Sequence, residues 1–294
     1  MLLPATLLVL LAALAAVAIA AWPGGPRANP RSHLRPAARV AAETHPPPAA
    51  RSPRPHAGSA GSAAALASRQ NRAINAVLRY TSYIARGTGR RPDVALTFDD
   101  GPSPYTPSIL RILIRMHVPA TFFVVGQQLN DFASGVRSEL RHGFDVSDHT
   151  ENHAWLIRLS PSGQYGQIDD AAKRLQNLGD PFPRLLRPPY GAFNSTTLKT
   201  LARVKMLMVL WSVDPGDWRR PGVGAIESNV LKNARSGSIV LLHDGGGYRD
   251  QTVKALPAII DGLRRRHYRL VTVPQMLIDD PPPRHQGLPH LGAG

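Results

Sequence analysis

Thr97-Phe98-Asp99-Asp100-Gly101-Pro102 sets two carboxylates side by side at the end of a short apolar run, Val94-Ala95-Leu96. Such a run closed by Gly-Pro reads as a buried strand entering a turn. Adjacent carboxylates disfavour joint ionisation, and a bound cation removes that cost. One acid can then ligate the ion while the other keeps a lone pair for a proton. Taken alone, Asp-Gly is more often a turn or a helix cap. It is joined, however, by four further polar groups. His149-Thr150-Glu151-Asn152-His153 spaces two imidazoles i, i+4, which lets them share a metal from one face of a helical turn. Arg187-Pro188-Pro189-Tyr190-Gly191, Asp214-Pro215-Gly216-Asp217-Trp218 and Leu241-Leu242-His243-Asp244 complete the set.

The elements that must position these groups follow from the apolar pattern. Strand-like runs fall at 94–98, 120–125, 144–147, 185–187, 207–213, 238–242 and 269–273. Helical patterns fall between them, near 106–116, 134–142, 161–178, 195–203, 223–234 and 251–266. This alternation predicts an α/β fold with a parallel sheet and helical crossovers. Seven strands in about 185 residues are few for a closed eight-fold barrel, so a distorted seven-stranded (β/α) barrel is expected. In such a fold the loops after the strands carry the chemistry. All five motifs follow a strand run, which makes their coincidence far more telling than any one of them. Asp100, His149 and His153 then form a carboxylate and two-imidazole ligand set. Met206 and Met208 read as core filler, and Arg264-Arg265-Arg266 as a solvated helix end.

These five motifs, in this order, resemble those of the NodB-type polysaccharide deacetylases, carbohydrate esterase family 4. The resemblance spans 91–279. It implies hydrolysis of N-acetyl groups on N-acetylated sugars, or of O-acetyl groups in some members. It also implies a divalent cofactor, zinc first and cobalt or another divalent ion after it, on Asp100, His149 and His153. Carried over by position, Asp99 would be the general base and His243 the general acid. Arg187 would hold Asp99, and Asp214 would orient His243. Trp218 and Leu241 would line the acetyl pocket, and the backbone N–H of Tyr190 would face the oxyanion. One departure is visible: Ser147-Asp148 stands where the family often has Gly-Asn before the first histidine.

The remainder of the chain divides by composition. Residues 1–22 form an apolar segment without side-chain charge, read as a signal peptide or membrane anchor. The first arginines, Arg27, Arg31, Arg35 and Arg39, lie on its C-terminal side, and the positive-inside rule taken strictly would leave the body in the cytoplasm. Residues 23–62 are a Pro/Ala/Arg-rich linker expected to be disordered. Residues 63–90 are a lead-in helix whose apolar stripe is Leu66, Ile74, Val77, Leu78 and Ile84, and 280–294 are a disordered tail. Of the net charge of +15, residues 1–90 contribute 11 Arg and one acid, Glu43, or +10. That excess suits acidic wall polymers or lipid headgroups. No nucleic-acid signature accompanies it, and nucleic acid is not expected as a partner. Cysteine is absent, which excludes disulfides and thiolate metal sites.

The expectation is a monomeric, extracytoplasmic enzyme acting on N-acetylglucosamine units of a cell-wall or surface polysaccharide, peptidoglycan first. Chitin oligomers, poly-N-acetylglucosamine and acetylxylan are alternative substrates for the same site. Two other classes compete. A non-haem iron oxygenase shares the ligand set but gives Asp99, Arg187 and His243 no role. A non-catalytic sugar-binding module would not need acid, base and metal positions together.

Overall fold

A computed structural model describes residues 57–179 and 181–287, with side chains from 64 onward. The segments expected as signal or anchor and as linker lie outside the described residues, apart from the end of the latter. After helix α1 (Ala57–Leu78) the chain runs β1 (Tyr83–Ile84), β2 (Asp93–Gly101), α2 (Thr106–Arg115), β3 (Thr121–Val124), α3 (Leu129–Arg141) and β4 (Asp145–Asp148). It continues through α4 (Pro161–Asn177), β5 (Leu185–Leu186), α5 (Ser195–Val204), β6 (Leu207–Val209) and α6 (Val223–Asn233). It ends with β7 (Ser238–His243), α7 (Asp250–Arg265), β8 (Arg269–Val271) and α8 (Val273–Asp279).

The strands form one curled parallel sheet in the order β1-β6-β5-β4-β3-β2-β7, with β8 beside the first half of β2. Past β6, Val213 bridges in parallel to Val240 of β7, which draws the two ends of the sheet together. The expected distorted barrel is therefore the fold, with β1 as an eighth short strand. Alternate residues of each strand divide between two layers, as the two-residue period requires. Val94, Leu96 and Phe98 pack outward with Ile109, Leu113, Ile259 and Leu263 of the helices. Ala95, Phe123, Leu185, Val209, Ile239 and Leu241 fill the interior. Ile74 and Val77 of α1 and Met276 and Leu277 of α8 belong to that inner cluster.

Two boundaries differ from the sequence reading. The lead-in helix stops at Leu78, and Ile84, expected on its stripe, sits in β1 against Val209. A buried Ile at that spacing satisfies a helix or a strand, and Tyr83 with Ile84 pairs with β6 instead of continuing the helix. The tail beyond 280 is tied down through Gln286. Tyr80 Oη donates to Pro282 O at 2.9 Å, Tyr83 Oη donates to Gln286 O at 2.6 Å, and Ala85 N donates to Gln286 Oε1 at 3.2 Å. The polar tail supplies partners to the unpaired edge of β1, and composition alone does not register that demand.

Candidate active site

Adjacent residues of a strand normally point to opposite faces, yet Asp99 and Asp100 both reach the same cleft. A register shift between Asp99 and Gly101 accounts for this. The bulge turns Asp100 to φ 70°, a left-handed conformation that costs energy for a non-glycine residue. Thr150 (φ 70°), His153 (φ 58°) and Tyr190 (φ 62°) carry the same feature, so His149–His153 is an irregular turn and not the helical turn expected from its i, i+4 spacing. Asp99 stays in register, opposite His243 on β7 and Phe123 on β3.

Asp100, His149 and His153 offer one ligand atom each, all within 4.8 Å of one another. Asp100 Oδ1 lies 3.4 Å from His149 Nε2 and 3.1 Å from His153 Nε2. It is buried and aligned for a hydrogen bond with neither. Three lone-pair donors converging on one point without satisfying one another fit a cation between them. Burial pushes the Asp100 carboxyl up, but the two imidazoles and the His243 charge outweigh it and hold the group well below the usual range. His149 Nδ1 is 2.7 Å from Arg187 O, a partner that fixes the Nδ1–H tautomer and turns the Nε2 lone pair to the ligand set. Gly246 keeps the other side of Asp100 open. A Cβ there would lie 2.1 Å from Asp100 Oδ2, and its φ of +70° also favours glycine.

Asp99 is held by Arg187, which has no exposed surface. Arg187 Nη1 donates to Asp99 Oδ1 at 2.6 Å and to Thr97 Oγ1 at 2.8 Å. Its other nitrogens reach Val209 O and Leu210 O, and the guanidinium lies over the Phe123 ring at 4.1 Å. Asp99 Oδ2 remains directed at the ligand set, 3.8 Å from His149 Nε2.

His243 pairs with Asp217, and the expectation that Asp214 orients it is corrected. Its Nδ1 is 2.8 Å from Asp217 Oδ1, its backbone N donates to Asp217 Oδ2 at 2.9 Å, and Thr252 Oγ1 donates to that same oxygen. Asp214 instead folds its carboxylate back onto Gly216 N at 2.8 Å. The local chain explains the exchange. Asp214 follows the Val213 bridge and caps its own turn, and the short 3₁₀ turn at 217–219 then carries Asp217 to His243. Burial disfavours the imidazolium, but Asp217, with Asp100 and Asp99 behind it, raises His243 to about 9.

These groups share a cleft of roughly 500 Å³, also lined by Tyr190, Trp211, Asp214, Trp218, Leu241 and Arg249. Tyr190 is stacked on Trp155 at 4.3 Å between ring centroids and meets His153 edge-on at 4.6 Å. Arg249, Trp155 and Gly246 were not legible as site residues. Arg249 works through the backbone, donating from Nε to Gly245 O at 2.6 Å and from Nη2 to Gly246 O at 2.8 Å, and so sets the loop against Asp100.

A parallel sheet whose strand ends bring together a carboxylate with two imidazoles, an arginine-held carboxylate and a carboxylate-backed imidazole has the parts that hydrolysis of an acyl group needs. Comparison with known proteins narrows the class. Residues 86–209 match the family model described as polysaccharide deacetylase. The chain is 42% identical over 187 residues to a peptidoglycan-N-acetylglucosamine deacetylase of Bacillus cereus, covering 63% of this chain and 87% of that protein. It is 40% identical over 196 residues to a chitooligosaccharide deacetylase of Bradyrhizobium sp. (strain ANU 289), covering 62% of this chain and 90% of that protein. A solved peptidoglycan N-acetylglucosamine deacetylase, in complex with a naphthalenyl N-oxidanyl-benzamide, superposes with a TM-score of 0.66. That match has 34% identity and covers 68% of this chain and 94% of the other. The chain belongs to the polysaccharide deacetylase family, carbohydrate esterase family 4.

Proposed function

We propose that this enzyme removes N-acetyl groups from N-acetylglucosamine units of a cell-wall polysaccharide, with peptidoglycan as its first substrate and a divalent cation, zinc before cobalt, on Asp100, His149 and His153. The observation that carries the reading is the pairing of Asp99 with His243 across β2 and β7, beside the three convergent ligand atoms. A cation bound there makes water more acidic and polarises the acyl oxygen.

Every remaining task falls to the chain's own groups. Arg187 fixes Asp99 Oδ1 and leaves Oδ2 to receive the proton of the attacking water. The backbone N–H of Tyr190 stabilises the oxyanion as the acyl carbon becomes tetrahedral. His243, protonated and backed by Asp217, gives its proton to the sugar nitrogen as the C–N bond breaks. Acetate and a free glucosamine amine leave. Trp218 and Leu241 wall the cleft where the acetyl methyl is seated.

The site of action follows from the order of parts in the sequence. An apolar segment, an arginine-rich linker and a catalytic body suit an enzyme held outside the cytoplasm at the membrane and near an insoluble polymer. A linker of about 40 residues has a coil dimension of roughly 30–40 Å. The +10 of residues 1–90 adds an attraction to acidic polymers that salt weakens. The test is acetate release from peptidoglycan, chitin oligomers, poly-N-acetylglucosamine and acetylxylan, combined with fractionation of producing cells. Peptidoglycan should give the highest rate, and the protein should sediment with membrane or wall. Faster acetate release from acetylxylan, or a cytoplasmic protein, would overturn the substrate or the location respectively.

A further inference from the structure

Parallel strands joined by helices put the catalytic loops at one end of the barrel and the turns that enter the strands at the other. Asp99, His149, Arg187 and His243 stand at strand C-terminal ends. The opposite end is basic. Arg90 precedes β2, Arg115 ends α2 before β3, and Arg141 ends α3 before β4. Arg264, Arg265 and Arg266 close α7 before β8. Because β4, β3 and β2 are consecutive in the sheet and β8 pairs with β2, these four turns form one face. All six arginines are exposed.

A cation in the last turn of a helix complements the macrodipole, which accounts for one charge per helix. It does not account for Arg90, which lies on no helix, nor for three arginines in a row at the end of α7. Where these guanidiniums are bonded, their partners are carbonyls: Arg264 Nη2 donates to Met116 O at 2.7 Å, and Arg266 Nη1 to Leu231 O. Neutral acceptors leave the charge whole. The neighbouring acids are engaged elsewhere. Asp93 and Asp279 both pair with Arg269, and Asp280 accepts from Gly89 N at 2.8 Å. Asp261, exposed one turn before Arg265, offsets a single charge. An apolar element adjoins the cations. A groove of about 560 Å³ between α2 and α3 is lined by Leu110 and Ile114 together with Arg111, Arg115 and Arg141. Ile114 is 36% exposed.

We propose that this face docks the catalytic body on an anionic lipid bilayer, with phosphate headgroups against the arginines and Ile114 at the acyl boundary. A face spread over four turns meets many headgroups at once, whereas a linear polyanion follows one groove. An apolar side chain flanked by guanidiniums suits a surface that is charged outside and apolar beneath. The +10 of residues 1–90 and the +15 of the whole chain disfavour the linker or a second copy as the occupant. Docked this way, the cleft opens away from the bilayer, roughly 25–30 Å along the nine residues of β2. The inference concerns where the body sits and does not depend on the acetyl chemistry.

The experiment uses the full chain and a fourfold variant, Arg90→Gln, Arg115→Gln, Arg141→Gln and Arg265→Gln, with vesicles of phosphatidylcholine alone or mixed equally with phosphatidylglycerol. Co-sedimentation reports affinity, and hydrogen exchange on the vesicle-bound protein reports which face is covered. The N-terminal segment is common to both proteins, so a difference between them belongs to the face. Each basic residue near an anionic surface adds about fivefold to partitioning before screening, so the variant should bind the mixed vesicles about 100-fold more weakly. On neutral vesicles the two should match. In the parent on mixed vesicles, amides of the turns at 115–120 and 264–268 should exchange more slowly, and those at 189–192 beside the cleft should not change. If the N-terminal segment holds both proteins on the vesicles, or the variant does not fold, the exchange pattern of the parent still decides. Unslowed exchange at those turns, or slowing centred on the cleft, would overturn the docking face. Slowing by soluble polyglycerol phosphate but not by vesicles would overturn the lipid in favour of an acidic polymer.

Discussion

His243 Nδ1 lies 2.8 Å from Asp217 Oδ1, and Asp214, three residues earlier in the same motif, is turned back onto Gly216 N. The carboxylate that stabilises the imidazolium is therefore the one next to Trp218. His243 is raised to about 9, so its proton is retained through neutral pH and is lost as pH climbs through that value. Activity that needs the protonated form falls on the alkaline side. Asp217→Asn should move this alkaline limb to lower pH by about one unit or more, the usual effect of removing an adjacent opposite charge. Asp214→Asn should leave the limb in place. A pH profile of kcat/KM for both variants checks the assignment.

The two neighbouring carboxylates should separate by function. Asp99→Asn keeps the hydrogen-bond shape near Arg187 but cannot take a proton, so turnover should drop by about 10²- to 10⁴-fold with metal content unchanged. Asp100→Asn should lose the ion itself. Elemental analysis beside acetate release distinguishes the two, and retention of metal by Asp100→Asn would reverse the roles.

Arg187 is wholly buried against Asp99, and its replacement should be costly to the fold as well as to activity. Arg187→Ala leaves a buried carboxylate without its partner, a change worth about 3–5 kcal/mol of stability. A denaturant midpoint close to that of the parent would show that Asp99 finds another partner.

Gly246, on the wall of the cleft, makes room for Asp100. Gly246→Ala places a methyl group where Asp100 Oδ2 stands and strains a left-handed backbone. Metal affinity should fall by about 10- to 100-fold, as for other groups that support a ligand from behind. Titration with zinc measures it directly.

The strand-end motifs were legible because each needs a particular residue type after an apolar run. Asp99, Asp100, His149, His153, Arg187 and His243 stand together as their order along the chain implied. The choice between Asp214 and Asp217 was not legible, since it depends on which carboxylate caps its own turn. Arg249 donates only to backbone carbonyls, and Gly246 acts through a missing side chain, so neither presents a chemical signature in sequence. The strap at 281–287 was hidden for a related reason. Its composition resembles a solvated tail, and its order comes from the unpaired edge of β1 about 200 residues earlier.

Acetyl hydrolysis is expected to run on a cation held by Asp100, His149 and His153. The direct measurement strips the purified protein with a chelator, then titrates zinc while following bound metal and acetate release from an N-acetylglucosamine oligomer together. Acetate release should vanish on stripping and return in proportion to one bound ion per chain, and His153→Ala should neither hold the ion nor recover activity. Full acetate release from the stripped protein, or from metal-free His153→Ala, would contradict the account.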